Sequence, residues 1–148
     1  MAKYCDIAII GSGNVAWHLA PELENSGHRV LEIYGRNAKN IRLLQRRLYN
    51  AEINPSLDFS GSEAEVFILC VSDDAIESIV GEIVLPENAT IFHTSGSQPF
   101  EVLGRAGTDH FGVLYSLQTF SKEKKMSFDY LQLLIGGSTR QAETTLEM

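Results

Sequence analysis

Only two cysteines, Cys5 and Cys70, occur in 148 residues. That is too few for a disulfide framework, and a reducing, cytoplasmic setting is the expectation. No apolar run approaches the ~20 residues a membrane helix needs, and Met1-Ala2-Lys3-Tyr4-Cys5-Asp6 has no signal-peptide pattern, so no membrane partner is expected. Positive charge is also scarce. Twelve Lys and Arg against 19 Asp and Glu give a net charge of −7, which argues against a nucleic-acid partner. The four histidines, His18, His28, His93 and His110, lack metal-ligand spacing, so no metal is expected. Neither a G-x-S-x-G elbow nor a G-x-x-x-x-G-K-[ST] loop is present, which removes support for hydrolase and P-loop chemistry.

What is there is ordinary for one globular domain: 44% hydrophobic residues, 21% charged, and no long block of like charge. A chain of this length buries roughly 68–70% of its unfolded surface. Short apolar runs at residues 4–10, 29–34, 66–71, 89–94, 111–115 and 130–135 read as strands, several of them continuous enough to be covered on both faces. Residues 51–54 form a weaker candidate that Pro55 ends. Between these runs, residues 15–24, 37–48 and 74–83 carry helical periodicity. The alternation predicts an α/β, doubly wound, mainly parallel Rossmann sheet over residues 1–137. Pro21, inside the first helical pattern, predicts a kink or a tightened turn. Ser138 is a candidate N-cap for a helix over residues 138–148, expected to lead into a further domain.

Strand Asp6-Ile7-Ala8-Ile9-Ile10 runs directly into Gly11-Ser12-Gly13-Asn14-Val15-Ala16, a G-x-G-x-x-A motif that opens a predicted helix. Gly11 permits the tight turn, Gly13 lets a diphosphate approach the main chain, and Ala16 lets the helix pack close to the sheet. This helix has no carboxylate before Glu22, so its positive end is free for an anion. The helix at residues 74–83 differs: Asp73, Asp74 and Glu77 crowd its start, with Asp74 and Glu77 spaced as a capping box.

An NAD site generally places Asp or Glu at the end of the second strand. Here Glu32 falls two residues early, and the strand ends Tyr34-Gly35-Arg36-Asn37. Arg36 can grip a 2′-phosphate, and Lys39 and Arg42 add positive charge nearby, so NADP(H) is predicted over NAD(H). The alternative is that Arg36, Lys39, Arg42, Arg46 and Arg47 form an ordinary solvated face, which suits Arg46 and Arg47 best. The same strand end speaks against S-adenosylmethionine, whose sites usually want an acid there.

Three more strand ends are polar: Val71-Ser72-Asp73-Asp74, Thr94-Ser95-Gly96-Ser97-Gln98 and Ser116-Leu117-Gln118-Thr119. His93 and Ser95 are candidates for positioning a carbonyl or relaying a proton. Against that, His93, in an apolar strand, reads more readily as a satisfied core histidine, and Ser95-Gly96-Ser97 reads equally as a turn and N-cap before residues 99–103. No spacing establishes a catalytic acid. Cys5 and Cys70 read as small buried hydrophobes.

Taken in order, Ile9-Ile10-Gly11-Ser12-Gly13-Asn14-Val15-Ala16-Trp17-His18-Leu19, Tyr34-Gly35-Arg36-Asn37, Cys70-Val71-Ser72-Asp73-Asp74-Ala75-Ile76, His93-Thr94-Ser95-Gly96-Ser97 and Gly112-Val113-Leu114-Tyr115-Ser116-Leu117-Gln118-Thr119-Phe120-Ser121 resemble the N-terminal domain of a Rossmann-like NADP oxidoreductase family. That family is similar to pyrroline-5-carboxylate reductase and to deazaflavin-dependent NADP oxidoreductases. The resemblance implies a cofactor domain followed by an all-helical domain that forms a homodimer and completes the substrate cleft. By position, Gly11, Ser12, Gly13, Asn14, Val15, Arg36 and Asn37 would hold the dinucleotide. Val71, Ser72, Asp73, Thr94, Ser95 and Gly96 would line its nicotinamide side. The implied activity is hydride transfer with a small C=O or C=N substrate, which the resemblance does not identify. The alternative is a non-catalytic NADP(H) sensor or regulatory module.

Overall fold

Apolar runs without polar alternation have to be buried on both faces, and this governs the architecture. The computed structural model describes residues 5–95, 100–108, 110–116 and 133–137. They form β1 (Asp6–Ile10), α1 (Asn14–Asn25), β2 (Arg29–Tyr34), α2 (Ala38–Gln45), β3 (Glu52–Ile53), β4 (Val66–Leu69), α3 (Asp73–Glu82), β5 (Thr90–His93), a 3₁₀ segment (Phe100–Ala106), β6 (His110–Ser116) and β7 (Leu133–Gly137). The sheet order is β3-β2-β1-β4-β5-β6-β7. Every pairing is parallel except β6–β7, which is antiparallel.

Side-chain alternation along the central strands divides the core in two. Ile7 and Ile9 of β1, with Val66 and Ile68 of β4, join Ala16, Leu19 and Ala20 of α1 and Ile41 and Leu44 of α2. Ala8 and Ile10, with Phe67 and Leu69, join Ile76, Ile79 and Val80 of α3 and Leu103 of the 3₁₀ segment. Successive residues of a strand face opposite sides, so α1 and α2 cover one face of the sheet and α3 the other. This is the doubly wound arrangement that the sequence predicts. Its strand order reverses between β1 and β4, the place where such sheets open a crevice.

Pro21 lies inside α1, next to the buried Leu19 and Ala20. Several local expectations change. α2 stops at Gln45, three residues before Leu48, with Arg46 as its C-cap. Arg47, beyond the end, sets its guanidinium 4.3 Å from the centre of the Trp17 ring, a cation–π contact that ties this turn to α1. The anticipated Asp74–Glu77 capping box does not form. α3 begins at Asp73 with Ser72 as N-cap, which moves Asp74 inside the first turn, and Glu77 meets Arg105 at 3.2 Å instead. The expectations for Gly96, Ser97, residues 117–119, residues 130–132 and the helix at 138–148 lie outside the described residues.

Cys5 and Cys70 are buried in the core and form no disulfide, as expected. Burial pushes the Cys70 thiol up to about 12. His28 is tied to the start of β1, where its Nδ1 accepts the Cys5 amide at 2.9 Å. Burial lowers the His28 pKa from its ordinary 6.5. Below that pH the unfolded chain takes up a proton that the folded chain resists, so this contribution to stability is present at neutral pH and lost as the pH falls. Urea unfolding at pH 7.5 and 5.5 is therefore expected to show a larger loss for the native sequence than for His28→Gln. Equal losses would contradict the assignment.

Candidate functional site

A strand that turns directly into a helix exposes main chain, and glycine decides how closely anything can approach it. After β1, Gly11 has φ +121°, and a Cβ on it would lie 2.1 Å from the Cys70 carbonyl oxygen. No other residue fits there without moving β4. The Gly11 amide donates to the Tyr34 carbonyl at 2.6 Å, which ties the turn to the end of β2. Gly35 allows the same closeness from the other side, since a Cβ on it would come 3.1 Å from both Ser12 Oγ and Ile41 Cδ1. Gly13 is the opposite case: a Cβ on it would meet nothing within 4 Å. Among the described residues, nothing fills the space in front of Gly13.

That space belongs to a cleft of about 270 Å³ lined by Gly11, Ser12, Gly13, Tyr34, Gly35, Arg36, Asn37, Cys70, Val71, Ser72, Ala75 and Ile79. It lies at the carboxyl ends of β1, β2 and β4. Gly13 is the N-cap of α1, no side chain caps this helix, and its first turn has no acid. The first intrahelical bond runs from the Trp17 amide to the Gly13 carbonyl at 3.0 Å. The amides of Asn14, Val15 and Ala16 therefore have no intrahelical acceptor, and the helix end carries partial positive charge.

Among the described residues that line the cleft, Arg36 alone carries a formal charge and none is a carboxylate. Glu32, the nearest acid along β2, is held elsewhere. Ser62 Oγ donates to it, Asn54 Nδ2 donates at 3.4 Å, and it borders a separate acidic hollow with Glu52 and Glu63 beside β3. Asn37, which lines the cleft, is the N-cap of α2, its Oδ1 accepting the Asn40 amide at 2.9 Å.

The structure thus gathers Gly11, Ser12, Gly13, Arg36, Asn37, Val71 and Ser72 around one opening, with Asn14 and Val15 on the adjoining first turn of α1 and Asp73 on that of α3. Thr94 and Ser95 do not border it. The Thr94 hydroxyl donates to the Leu69 carbonyl at 3.2 Å, fastening the end of β5 to β4. The Ser95 amide donates to His93 Nδ1 at 3.0 Å, and His93 is 0% exposed. This placement is that of a satisfied core histidine. Reading the sequence left Tyr34, Gly35, Cys70, Ala75 and Ile79 out of the site. Ala75 and Ile79 were detectable, because they stand four residues apart on the helix that Ser72 caps.

A glycine turn into an uncapped helix at the strand-order reversal of a doubly wound sheet is the arrangement of a Rossmann-like dinucleotide-binding domain. Residues 6–92 match the family model described as NADP oxidoreductase, coenzyme F420-dependent, and the chain belongs to that family as its NADP-binding domain. The chain is similar in structure to a protein of Bacteroides fragilis provisionally named an NADP oxidoreductase, with TM-score 0.85 and 31% identity over 97% of this chain and 55% of that one. An imine reductase from a Pseudomonas species gives TM-score 0.73 and 14% identity over 98% and 51%. A pyrroline-5-carboxylate reductase from Coxiella burnetii gives 0.62 and 14% over 78% and 44%. The last two show the fold alone. The chain spans about half the length of these three proteins. A search of curated protein sequences gave no match.

The two glycines of the turn are expected to respond oppositely to a methyl group. Gly11→Ala should lose more than about 2 kcal/mol from its positive φ and the Cys70 carbonyl. Gly13→Ala should change stability by less than about 1 kcal/mol, since its φ of −82° suits alanine and no atom opposes the methyl. Urea denaturation of both variants checks this, and equal damage would contradict the geometry.

Proposed function

We propose that this domain binds NADP(H) and serves an oxidoreductase that moves a hydride between the nicotinamide and a small C=O or C=N substrate. The observation that carries the reading is a cleft with exposed main chain at its centre, one guanidinium at its edge and no carboxylate among its described lining residues. The residues present fit the group on both counts. Among the described residues no atom lies within 4 Å of where a Cβ on Gly13 would stand, which favours close approach of a diphosphate to the main chain there. Glu32 is engaged by Ser62 and Asn54 beside β3, and Arg36 is the charged group that borders the cleft after β2, which favours a 2′-phosphate there.

In this reading the amides of Gly11, Ser12, Gly13, Asn14 and Val15 hold the diphosphate, while Arg36 and the Nδ2 of Asn37 hold the 2′-phosphate. Val71, Ser72 and Asp73 lie toward the nicotinamide side. Thr94 and Ser95 support that side by fixing the end of β5. NADPH supplies the hydride when bound. The chain's own contribution is to bind and orient the dinucleotide, which removes the translational freedom that a bimolecular transfer would otherwise have to overcome.

Titration of NADPH and NADH tests the assignment. The native sequence should prefer NADPH. Arg36→Gln should weaken NADPH by roughly 10- to 100-fold, the worth of charge-assisted hydrogen bonds, and leave NADH within about twofold. Gly13→Ala, stable as it is, should weaken both. Equal affinity for the two cofactors, or an Arg36→Gln variant with unchanged NADPH affinity, would overturn the reading. Assay with imines, ketones and a reduced deazaflavin addresses hydride transfer, and binding without turnover would favour a regulatory NADP(H)-binding module.

A further inference from the structure

Positive charge in this acidic protein is not evenly spread. Five of its twelve Lys and Arg fall within residues 36–47, and no Asp or Glu occurs between Glu32 and Glu52. Arg36 borders the cleft, and Lys39, Arg42 and Arg46 follow at intervals of three, three and four residues. α2 buries Ile41 and Leu44 against the sheet, while Lys39, Arg42 and Arg46 are exposed. Arg46 keeps helical backbone angles, φ −66° and ψ −19°, as the C-cap. Residues three and four apart on a helix lie along one face, so these side chains make a stripe that starts at the cleft and extends about 10 Å from Lys39 to Arg46. Among the described residues the ion pairs are Arg29–Asp6 and Arg105–Glu77, and neither involves the stripe. Arg47, turned onto Trp17, stands apart from it.

We propose that the stripe Lys39–Arg42–Arg46 is an electrostatic guide that captures the polyanionic dinucleotide and delivers it to the cleft. The proposal rests on the NADP(H) reading above and adds to it the route of entry. A dinucleotide phosphate approaching a protein of net charge −7 meets repulsion over most directions. A local run of cations beside the opening reverses the sign of the field there and raises the rate of productive encounter. Arg36 contacts the bound ligand and so acts on dissociation. Arg42 and Arg46, farther along the stripe, act on association.

A structural role for these residues makes a different prediction. Arg42 lies in the last turn of α2 and Arg46 caps it, so each can simply balance the helix dipole. In that case their removal changes melting temperature and leaves association alone.

Stopped-flow association of NADPH with the full chain separates the two, read by NADPH fluorescence at about 20 mM and 500 mM ionic strength. The comparison is between the native sequence, Arg42→Gln/Arg46→Gln, and Arg105→Gln, which removes a cation from the other face of the sheet. The guide requires the double variant to associate about 3- to 10-fold more slowly at low salt, with unchanged dissociation, and the difference to vanish at high salt, where the screening length falls to a few ångströms. Arg105→Gln should associate like the native sequence. Unchanged association in the double variant, or an equal slowing in Arg105→Gln, overturns the guide while leaving the NADP(H) reading intact. Failure of the native sequence to bind NADPH at either salt overturns both.

Discussion

The approach of β1's end to β4 is the constraint on which the rest depends. With the Cys70 carbonyl where the first side-chain carbon of residue 11 would be, the chain can leave β1 only through a glycine in a left-handed conformation. That turn sets the start of α1, and with it the direction of its unpaired amides. It also brings the Gly11 amide to Tyr34 at the end of β2, so three strand ends are locked around one opening. The site is a consequence of the sheet's packing.

Electrostatics then sorts the helix ends. α1 and α3 both begin beside the cleft, yet α3 carries Asp73 and Asp74 in its first turn and α1 carries no acid there. Favourable interaction with a helix N-terminus is already supplied to α3 by its own carboxylates, and it is left for a ligand at α1. Glu32 completes the separation. Its carboxylate is engaged by Ser62 and Asn54 beside β3, so the acid nearest the end of β2 contributes to holding an adjacent loop and not to the cleft. The protein thereby keeps a net charge of −7 and still presents an anion-compatible corner.

How much of this the sequence discloses depends on whether the cause is local. Glycine spacing after an apolar strand is a backbone requirement, so the β1–α1 turn was legible residue by residue, and Arg36 was legible from its place after β2. The alternation of apolar runs with helical periods disclosed the doubly wound sheet. Where a tertiary contact competes with a local pattern, the reading fails. Arg46, Arg47 and Leu48 have good helical propensity, but α2 ends at Gln45 and Arg47 finds the Trp17 ring. Asp74 and Glu77 have capping-box spacing, but Ser72 takes the N-cap. At the end of β5, the Thr94 hydroxyl bonds the Leu69 carbonyl and the Ser95 amide bonds His93 Nδ1, partners that no sequence spacing reveals.

The anion-binding role proposed for the bare main chain at the first βα junction is tested most directly by amide chemical-shift mapping of the isotopically labelled protein during titration with NADPH. The largest changes are expected at Gly11, Ser12, Gly13, Asn14 and Val15, with a second group at Arg36 and Asn37. Saturable changes confined to the acidic hollow beside β3, or to the start of α3, with the Gly11–Val15 amides unmoved, would contradict it.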